Sequence, residues 1–481
     1  MAGKNFYLTT TLPYVNADPH IGFALEIVQA DIVARYRRLM GDDVFFNTGT
    51  DEHGVKIYRK ALDEDKDPQI YVNEYAAKFR RLKQLLGLYP DLYFIRTTDP
   101  HHRVAAQEFW KRCAEAGDIE KKIYKTKYCI GCELEKTDSE LIDSRCPIHP
   151  NLEIEFREEE NYFFKFSKYQ KPLLELYANR PDFVIPDFRF NEIKKFVGAG
   201  LEDFSISRLK EKMPWGIPVP GDEDHIMFVW FDALINYVST LGWPEDRPKF
   251  EQFWGTVENP NALQMAGKDN LRQQAAMWQA MLMSAGLPPT KQILIHGFIT
   301  SGGQKMSKSL GNVIDPVVII EEYGTDALRY FLARHVSPFE DSDFTMERFK
   351  EAYNSDLANG LGNLVARILQ MSSRYLTTTP KIPDLKDLNE IQKFVTTFEF
   401  SQAMVHLWFR MKYLDGLIQE QRTFEVVKTN RIAGKKQLKY LLEQLAEIAV
   451  LLEPFMPDTS KKITEAIIAN KKPENLFPRK E

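Results

Sequence analysis

The chain reads as an α/β protein, a parallel sheet flanked by helices that is split by a cysteine-bearing insertion and followed by an all-α bundle. Three observations predict this. The first part alternates aromatic and β-branched runs with apolar stripes at helical spacing, the signature of parallel strands joined by helices. Residues 117–224 then change to short, charged pieces holding three of the four cysteines. From about Glu351 onward strand-type runs vanish and only helical stripes remain.

In order, Phe6–Thr11 is rich in aromatic and β-branched residues and predicts a strand. Leu25, Val28, Ile32, Tyr36 and Leu39 share one face of a helix, and Asp43–Asn47 predicts a second strand. Residues 1–116 form the first half of the sheet domain, and 117–224 form the insertion with its acidic run Glu158-Glu159-Glu160. Alternation resumes at His225–Tyr237 and Gln292–His296, giving a second half over 225–300, then a loop and linking region over 301–350. The bundle, 351–481, carries one stripe of Leu357, Leu361, Leu364 and Ile368 and another of Leu438, Leu441, Leu445, Ile448 and Leu452.

With 481 residues, 44% hydrophobic content and 32 phenylalanines, the chain can bury several cores. A net charge of −5 excludes a global nucleic-acid footprint but not a local basic face. No apolar run is long enough to span a bilayer. A strand begins almost at Met1 with no signal sequence before it. These features predict a cytoplasmic protein, and the end of the chain just past the bundle, Phe477–Glu481, predicts a monomer.

Cys129-x-x-Cys132, thirteen further residues, then Cys146-x-x-His149 supply four ligands in two turn-forming pairs, the inventory of a closed, structural zinc site. Cys113 stands apart and is read as an ordinary buried thiol.

Two further motifs suit phosphate, each weak alone and informative as a pair. Pro19-His20-Ile21-Gly22-Phe23 opens the first helix, where Gly22 lets a nucleotide approach and His20 can donate to a phosphate oxygen. Far downstream, Gly302-Gly303-Gln304-Lys305-Met306-Ser307-Lys308-Ser309 places two lysines on a glycine-flanked loop, a cationic clamp for a polyphosphate gaining charge. Together the motifs resemble the two nucleotide elements of class I aminoacyl-tRNA synthetases, which implies a Rossmann-type sheet.

Further segments extend the resemblance over essentially the whole chain to the methionyl-tRNA synthetase family. They are Thr11-Leu12-Pro13-Tyr14-Val15-Asn16, Thr48–Gly54, Asp203–Arg208, Trp215–Pro220, Val229–Tyr237, Ala266-Gly267-Lys268-Asp269 and Ala358–Asn363. The resemblance implies that Leu12, Tyr14, Trp230 and Tyr237 wall a methionine pocket, with Gln274 and Asp269 beside it. It also implies Asp51 at the substrate ammonium and Arg208 near the carboxylate. Taken singly, such aromatics belong to cores more often than to sites, and only the matched motifs reverse those odds. His20, Lys305 and Lys308 would be catalytic, and Gly22, Met306, Ser307 and Ser309 would join them around ATP, which carries Mg2+. Asn363, Arg367 and Phe424 would contact the anticodon of tRNA(Met).

Three positions depart from the family pattern: Phe23 replaces a second histidine, Gln274 a histidine, and Phe424 a tryptophan. The implied reaction joins methionine to tRNA through methionyl-adenylate. One competing reading is a class I synthetase for leucine, isoleucine or valine, which the short zinc-bearing insertion disfavours. The other is a non-catalytic tRNA-binding paralogue, which the retained motif residues disfavour.

Overall fold

The computed structural model describes residues 3–132, 134–136, 140–306 and 311–480. Its centre is a six-stranded parallel sheet. The first three strands are β1 (Asn5–Thr10), β2 (Asp43–Thr50) and β3 (Tyr93–Arg96). They are linked by helices α1 (Ile21–Leu39), α2 (Val55–Asp63) and α3 (Pro68–Leu85), and α4 (Pro100–Glu115) follows β3. Across the sheet the order is β3, β2, β1, Ala262–Gly267, Gln292–His296 and Val184–Ile185.

Strand periodicity decides which core each side chain joins. On β1, Phe6 and Leu8 face α1 while Tyr7 enters the opposite core. Leu263, Met265 and Leu294 repeat the first pattern, and Ala262, Ala266, Ile293 and Ile295 the second. Because the sheet buries both faces, apolar side chains point to either side of it, and the polar ones it carries, such as Thr9, Asn47, Gln264 and His296, are themselves buried. The α1-side core runs without a break into the helical region, taking in Leu357, Leu361, Leu364 and Ile368 as predicted. There Arg431–Leu452 touches Asn363–Tyr375, Phe400–Glu420 and Pro457–Ile468.

The insertion differs from the sequence expectation of short irregular pieces. Ile119–Cys129 and Glu155–Phe164 form a long antiparallel ribbon paired from Ile119↔Phe164 to Tyr128↔Glu155. Much of the ribbon faces water on both sides, so charges occupy it in place of an apolar alternation. Lys125 meets Glu158 directly across it at 3.3 Å, and Lys121 reaches Glu160 at 3.1 Å. Two further differences concern the sheet. Val184–Ile185, within the span read as insertion, returns to the edge beside Gln292–His296. Asp222–Met227 pairs in a separate antiparallel sheet, and the parallel sheet resumes only at Ala262–Gly267. The segment Ala-Leu-Gln-Met-Ala-Gly has too little β-branched character to announce that strand.

Among the described residues no helix is long and apolar enough to cross a membrane. Burial pushes the Cys113 thiol up to about 12, as an inert core cysteine requires.

Arg329, in helix Thr325–Arg334, ties the sheet to the bundle with no exposed surface. It pairs with the buried Asp31 of α1 at 2.8 Å and donates to the carbonyls of Leu86 (3.1 Å), Pro454 (3.0 Å) and Phe455 (2.9 Å). Replacing it removes one of the two guanidinium partners of Asp31, which keeps Arg35 at 2.7 Å, and leaves three carbonyls without their donor. Arg329→Leu is therefore expected to lower unfolding free energy by about 3–5 kcal/mol, measured as a reduced urea midpoint.

Candidate functional site

β1 and Ala262–Gly267 lie side by side at the middle of the sheet, and the chain proceeds from them toward opposite edges. Such a reversal leaves a crevice beyond the carboxyl ends of the strands, where ligands bind in open α/β sheets. Leu12, Tyr14, His20 and Gly22 follow β1, and Asp51 follows β2. Asp269 and Gln274 follow Ala262–Gly267, while Lys305 and Met306 come after Gln292–His296.

Hydrogen bonds gather these segments. Asp51 N donates to Pro13 O at 3.0 Å and Val15 N to Asp51 O at 3.2 Å, so Asp51 and Tyr14 form one bridge. Glu26 of α1 accepts from Thr11 N (2.7 Å) and Oγ1 (2.6 Å), pinning the loop that carries Leu12. Its other oxygen accepts from His296 Nε2 at 2.8 Å. Burial draws the His296 pKa down, but the hydrogen bond and charge of Glu26 outweigh it and leave the imidazole above its ordinary value. This Glu26–His296 pair was missed by the sequence reading, because 270 positions separate its members and no spacing rule joins them.

His20 caps α1, its Nδ1 accepting from Gly22 N at 3.1 Å. A neutral ring accepting at Nδ1 carries its proton on Nε2, which leaves one donor for a ligand. Surrounding protein lowers the His20 pKa by desolvation, although the ring still reaches solvent. The lysine loop comes to this point: a Cβ on Gly22 would sit 3.9 Å from the Met306 methyl, and Ile21 N donates to Ile314 O at 3.0 Å. Lys305 is exposed, with its ammonium 5.5 Å from the Phe298 ring centre. Its charge reaches Asp269, whose carboxyl is raised by desolvation and partly relieved by Lys305 and His296. Ser307, Lys308 and Ser309 lie outside the described residues.

Trp230 and Tyr237 sit on two short helices, Val229–Leu234 and Asn236–Ser239. Asn47 of β2 holds them to the sheet, donating to Asn236 Oδ1 (3.2 Å) and Thr9 Oγ1 (3.2 Å) and accepting from Thr240 (2.9 Å). The Tyr237 hydroxyl accepts from Gln274 Nε2 at 2.7 Å, inside a π-helical turn over Gln273–Met277. Such turns recur at functional sites. The buried Trp230 indole N–H has no acceptor among the described residues.

Arg208 is held by Ser205 Oγ (2.7 Å) and Ser207 O (2.6 Å) and stacks over Phe228 at 4.1 Å. It borders a cavity of about 310 Å³ shared with Gly54, Arg59, Glu155 and Val229. Phe23 turns to an apolar cluster, meeting Phe79 edge-on at 5.2 Å.

The four knuckle residues converge, with the ligand atoms of Cys129, Cys132, Cys146 and His149 all within 4.8 Å of one another. Cys132 Sγ lies 3.4 Å from Cys146 Sγ and 3.2 Å from His149 Nδ1. Three thiols and an imidazole at this mutual spacing fit a tetrahedral zinc ion. Gly131 is required here, since a Cβ would fall 2.4 Å from the His149 ring.

In the bundle, Asn363 is exposed, and Arg367, one turn on, pairs with Asp415 at 2.5 Å. Phe424 lies on a different helix, Thr423–Thr429, with 38% of its surface exposed.

The family profile described as tRNA synthetases class I (M) matches residues 6–151 and 131–369. A methionine–tRNA ligase of Nostoc is 42% identical over 482 residues, covering 97% of this chain and 90% of its own. One from Thermotoga maritima is 40% identical, with 97% of this chain and 76% of its own covered. Among solved structures, the methionyl-tRNA synthetase of Mycobacterium tuberculosis in complex with methionyl-adenylate superposes with a TM-score of 0.87. It is 33% identical and 99% of each chain is covered.

The raised His296 pKa sets a pH dependence. Its contribution to stability is fully present below the unfolded-state value of about 6.5 and is lost as pH rises through the higher folded value. Unfolding free energy from urea titrations should thus fall as pH rises above about 6.5, and Glu26→Gln should flatten that slope.

Proposed function

The chain belongs to the class I methionyl-tRNA synthetase family, and on that premise we propose how its residues carry out the ligation of methionine to tRNA. The enzyme activates methionine as methionyl-adenylate and charges tRNA with it. In the first step the methionine carboxylate attacks the α-phosphate of ATP and pyrophosphate leaves. In the second, a hydroxyl of the 3′-terminal adenosine attacks the activated carbonyl and AMP leaves. Neither step needs a protein nucleophile, so catalysis rests on alignment and charge.

The approach of Met306 to Gly22 beside the His20 cap is the observation that most supports the assignment of roles. His20 Nε2–H donates to the phosphates of ATP, which brings Mg2+ as part of the substrate. Lys305 and Lys308 neutralise the leaving pyrophosphate, with Met306, Ser307 and Ser309 closing the loop over it. Asp51 takes the ammonium and Arg208 the carboxylate. Leu12, Tyr14, Trp230, Tyr237 and Gln274 enclose the thioether, a soft group suited to aromatic walls, and Asp269 borders the same pocket. Asn363, Arg367 and Phe424 read the anticodon by hydrogen bonding and stacking. Zinc held by Cys129, Cys132, Cys146 and His149 fixes the knuckle and takes no part in the reaction. We place the enzyme in the cytoplasm, as a monomer of 55.9 kDa.

ATP–pyrophosphate exchange tests this directly. Methionine should support exchange and leucine should not; the reverse outcome overturns the substrate. Lys305→Ala should cut kcat for exchange by about 10²–10³ with little change in methionine KM. Metal analysis should find one zinc per chain, and Cys146→Ser should lose it.

A further inference from the structure

Behind the methionine pocket runs a buried polar chain that none of the assigned roles uses. His53 Nδ1 lies 2.5 Å from Asp232 Oδ2, and His102 Nε2 lies 2.8 Å from Asp232 Oδ1. His102 Nδ1 lies 2.8 Å from Ser239 Oγ. Asp232 and His102 have no exposed surface, and His53 almost none. The carboxylate can only accept, so each histidine must turn an N–H toward it. The remaining nitrogen of His102 meets the Ser239 hydroxyl, which in turn reaches the Asn236 carbonyl at 3.4 Å. Burial alone would raise the Asp232 carboxyl, yet the facing histidines hold it down at about 2.

One end of this chain, His53, and its central Asp232 each lie two residues from a residue assigned above to the pocket, Asp51 and Trp230. His53 is two residues from Asp51, whose backbone is bridged to the loop bearing Leu12 and Tyr14. Asp232 is two residues from Trp230 on a helix of six residues, Val229–Leu234, which has no side-chain cap. A helix so short does not hold its own orientation. Glu52, between Asp51 and His53, is fixed independently by Arg96 at 2.6 Å and by Trp215, which donates to its carbonyl at 2.7 Å. The strand side is thus rigid, and the carboxylate references the Trp230 helix directly to it, where Asn47 reaches that helix only through Asn236 and the Ala233 carbonyl.

We propose that Asp232 is a positioning residue for methionine: through His53 and His102 it holds the Asp51 segment and the Trp230 helix at a single separation. This rests on the pocket assignment above. A packed apolar contact would stabilise the fold as well as a buried ionic cluster does. What the cluster adds is geometry, because it is satisfied only when both imidazoles meet the carboxylate at once.

The test is exchange kinetics on the full-length enzyme, varying methionine and ATP separately. Asp232→Asn keeps the volume but presents an amide N–H to one of the ring N–H groups. It should raise methionine KM by about tenfold or more, with ATP KM held within about twofold. His102→Ala should shift methionine KM in the same direction, and His102→Gln, whose amide can still donate to Asp232, should reverse most of that shift. Equal rises in both KM values, or a lower Tm with both KM values unchanged, overturn the proposal and leave Asp232 as scaffold. If Asp232→Asn does not fold, the alanine and glutamine variants at 102 decide alone. Failure of the pocket assignment is separately visible, since wild-type enzyme would then show no methionine-dependent exchange.

Discussion

The Arg329–Asp31 pair is the constraint on which the rest of the molecule depends. A buried guanidinium is tolerable only when its charge and its N–H groups are matched. Here one carboxylate and three carbonyls do so, drawn from α1, from the turn after α3 and from the segment following Arg431–Leu452. Those pieces belong to the sheet and to the helical region, and all four contacts meet on one side chain. α1 carries Asp31 near its middle and the His20 cap at its start. The pair therefore registers the bundle against the crevice. On the proposal that the bundle reads the anticodon, a fixed distance between the two regions is a functional requirement.

The parts legible in the sequence were those in which residues close in the chain act together. The helical stripes of the bundle, the first two strands and the metal quartet are local patterns, and their members lie where spacing places them. What stayed hidden is non-local. His53 and His102 stand 179 and 130 positions from Asp232; His53 and Asp232 lie in matched segments, but no spacing rule joins them or adds His102. The ribbon over Ile119–Phe164 was obscured for a different reason, since much of it faces water on both sides and the apolar alternation of a half-buried strand is missing. Ala262–Gly267 was obscured by small side chains, which let α1 and the helices of the other layer press close to the centre of the sheet.

The departures from the family pattern gain a physical reading from their surroundings. Phe23 packs against the apolar cluster of Val15, Ile57, Tyr71, Val72 and Phe79, where an imidazole would have to set polar nitrogens against apolar surface. The ring packs edge-on against Phe79, and under the proposed roles donation to the nucleotide falls to His20 alone. Gln274 keeps a donor and an acceptor fully engaged, giving to Tyr237 and receiving from Gln264 at 3.3 Å. An amide does both without titrating, so this corner of the pocket holds one charge state where an imidazole would change with pH.

These observations share one logic. The site is assembled from segments far apart in sequence, and at each junction a buried polar side chain of one segment finds its partners in others. Glu26 joins the loop after β1 to His296, and Asn47 joins β1 to the Asn236 helix. Glu52 joins the end of β2 to Arg96 and Trp215, and Asp232 joins it to α4. Hydrophobic packing alone would tolerate small slips at every junction, because area is insensitive to direction. Hydrogen bonds in a low-dielectric interior are not, and each is costly to leave unmade. A chemistry that depends on alignment, with no protein nucleophile to commit the substrate, needs that directional stiffness in the ground state. The polar junctions supply it before any substrate arrives.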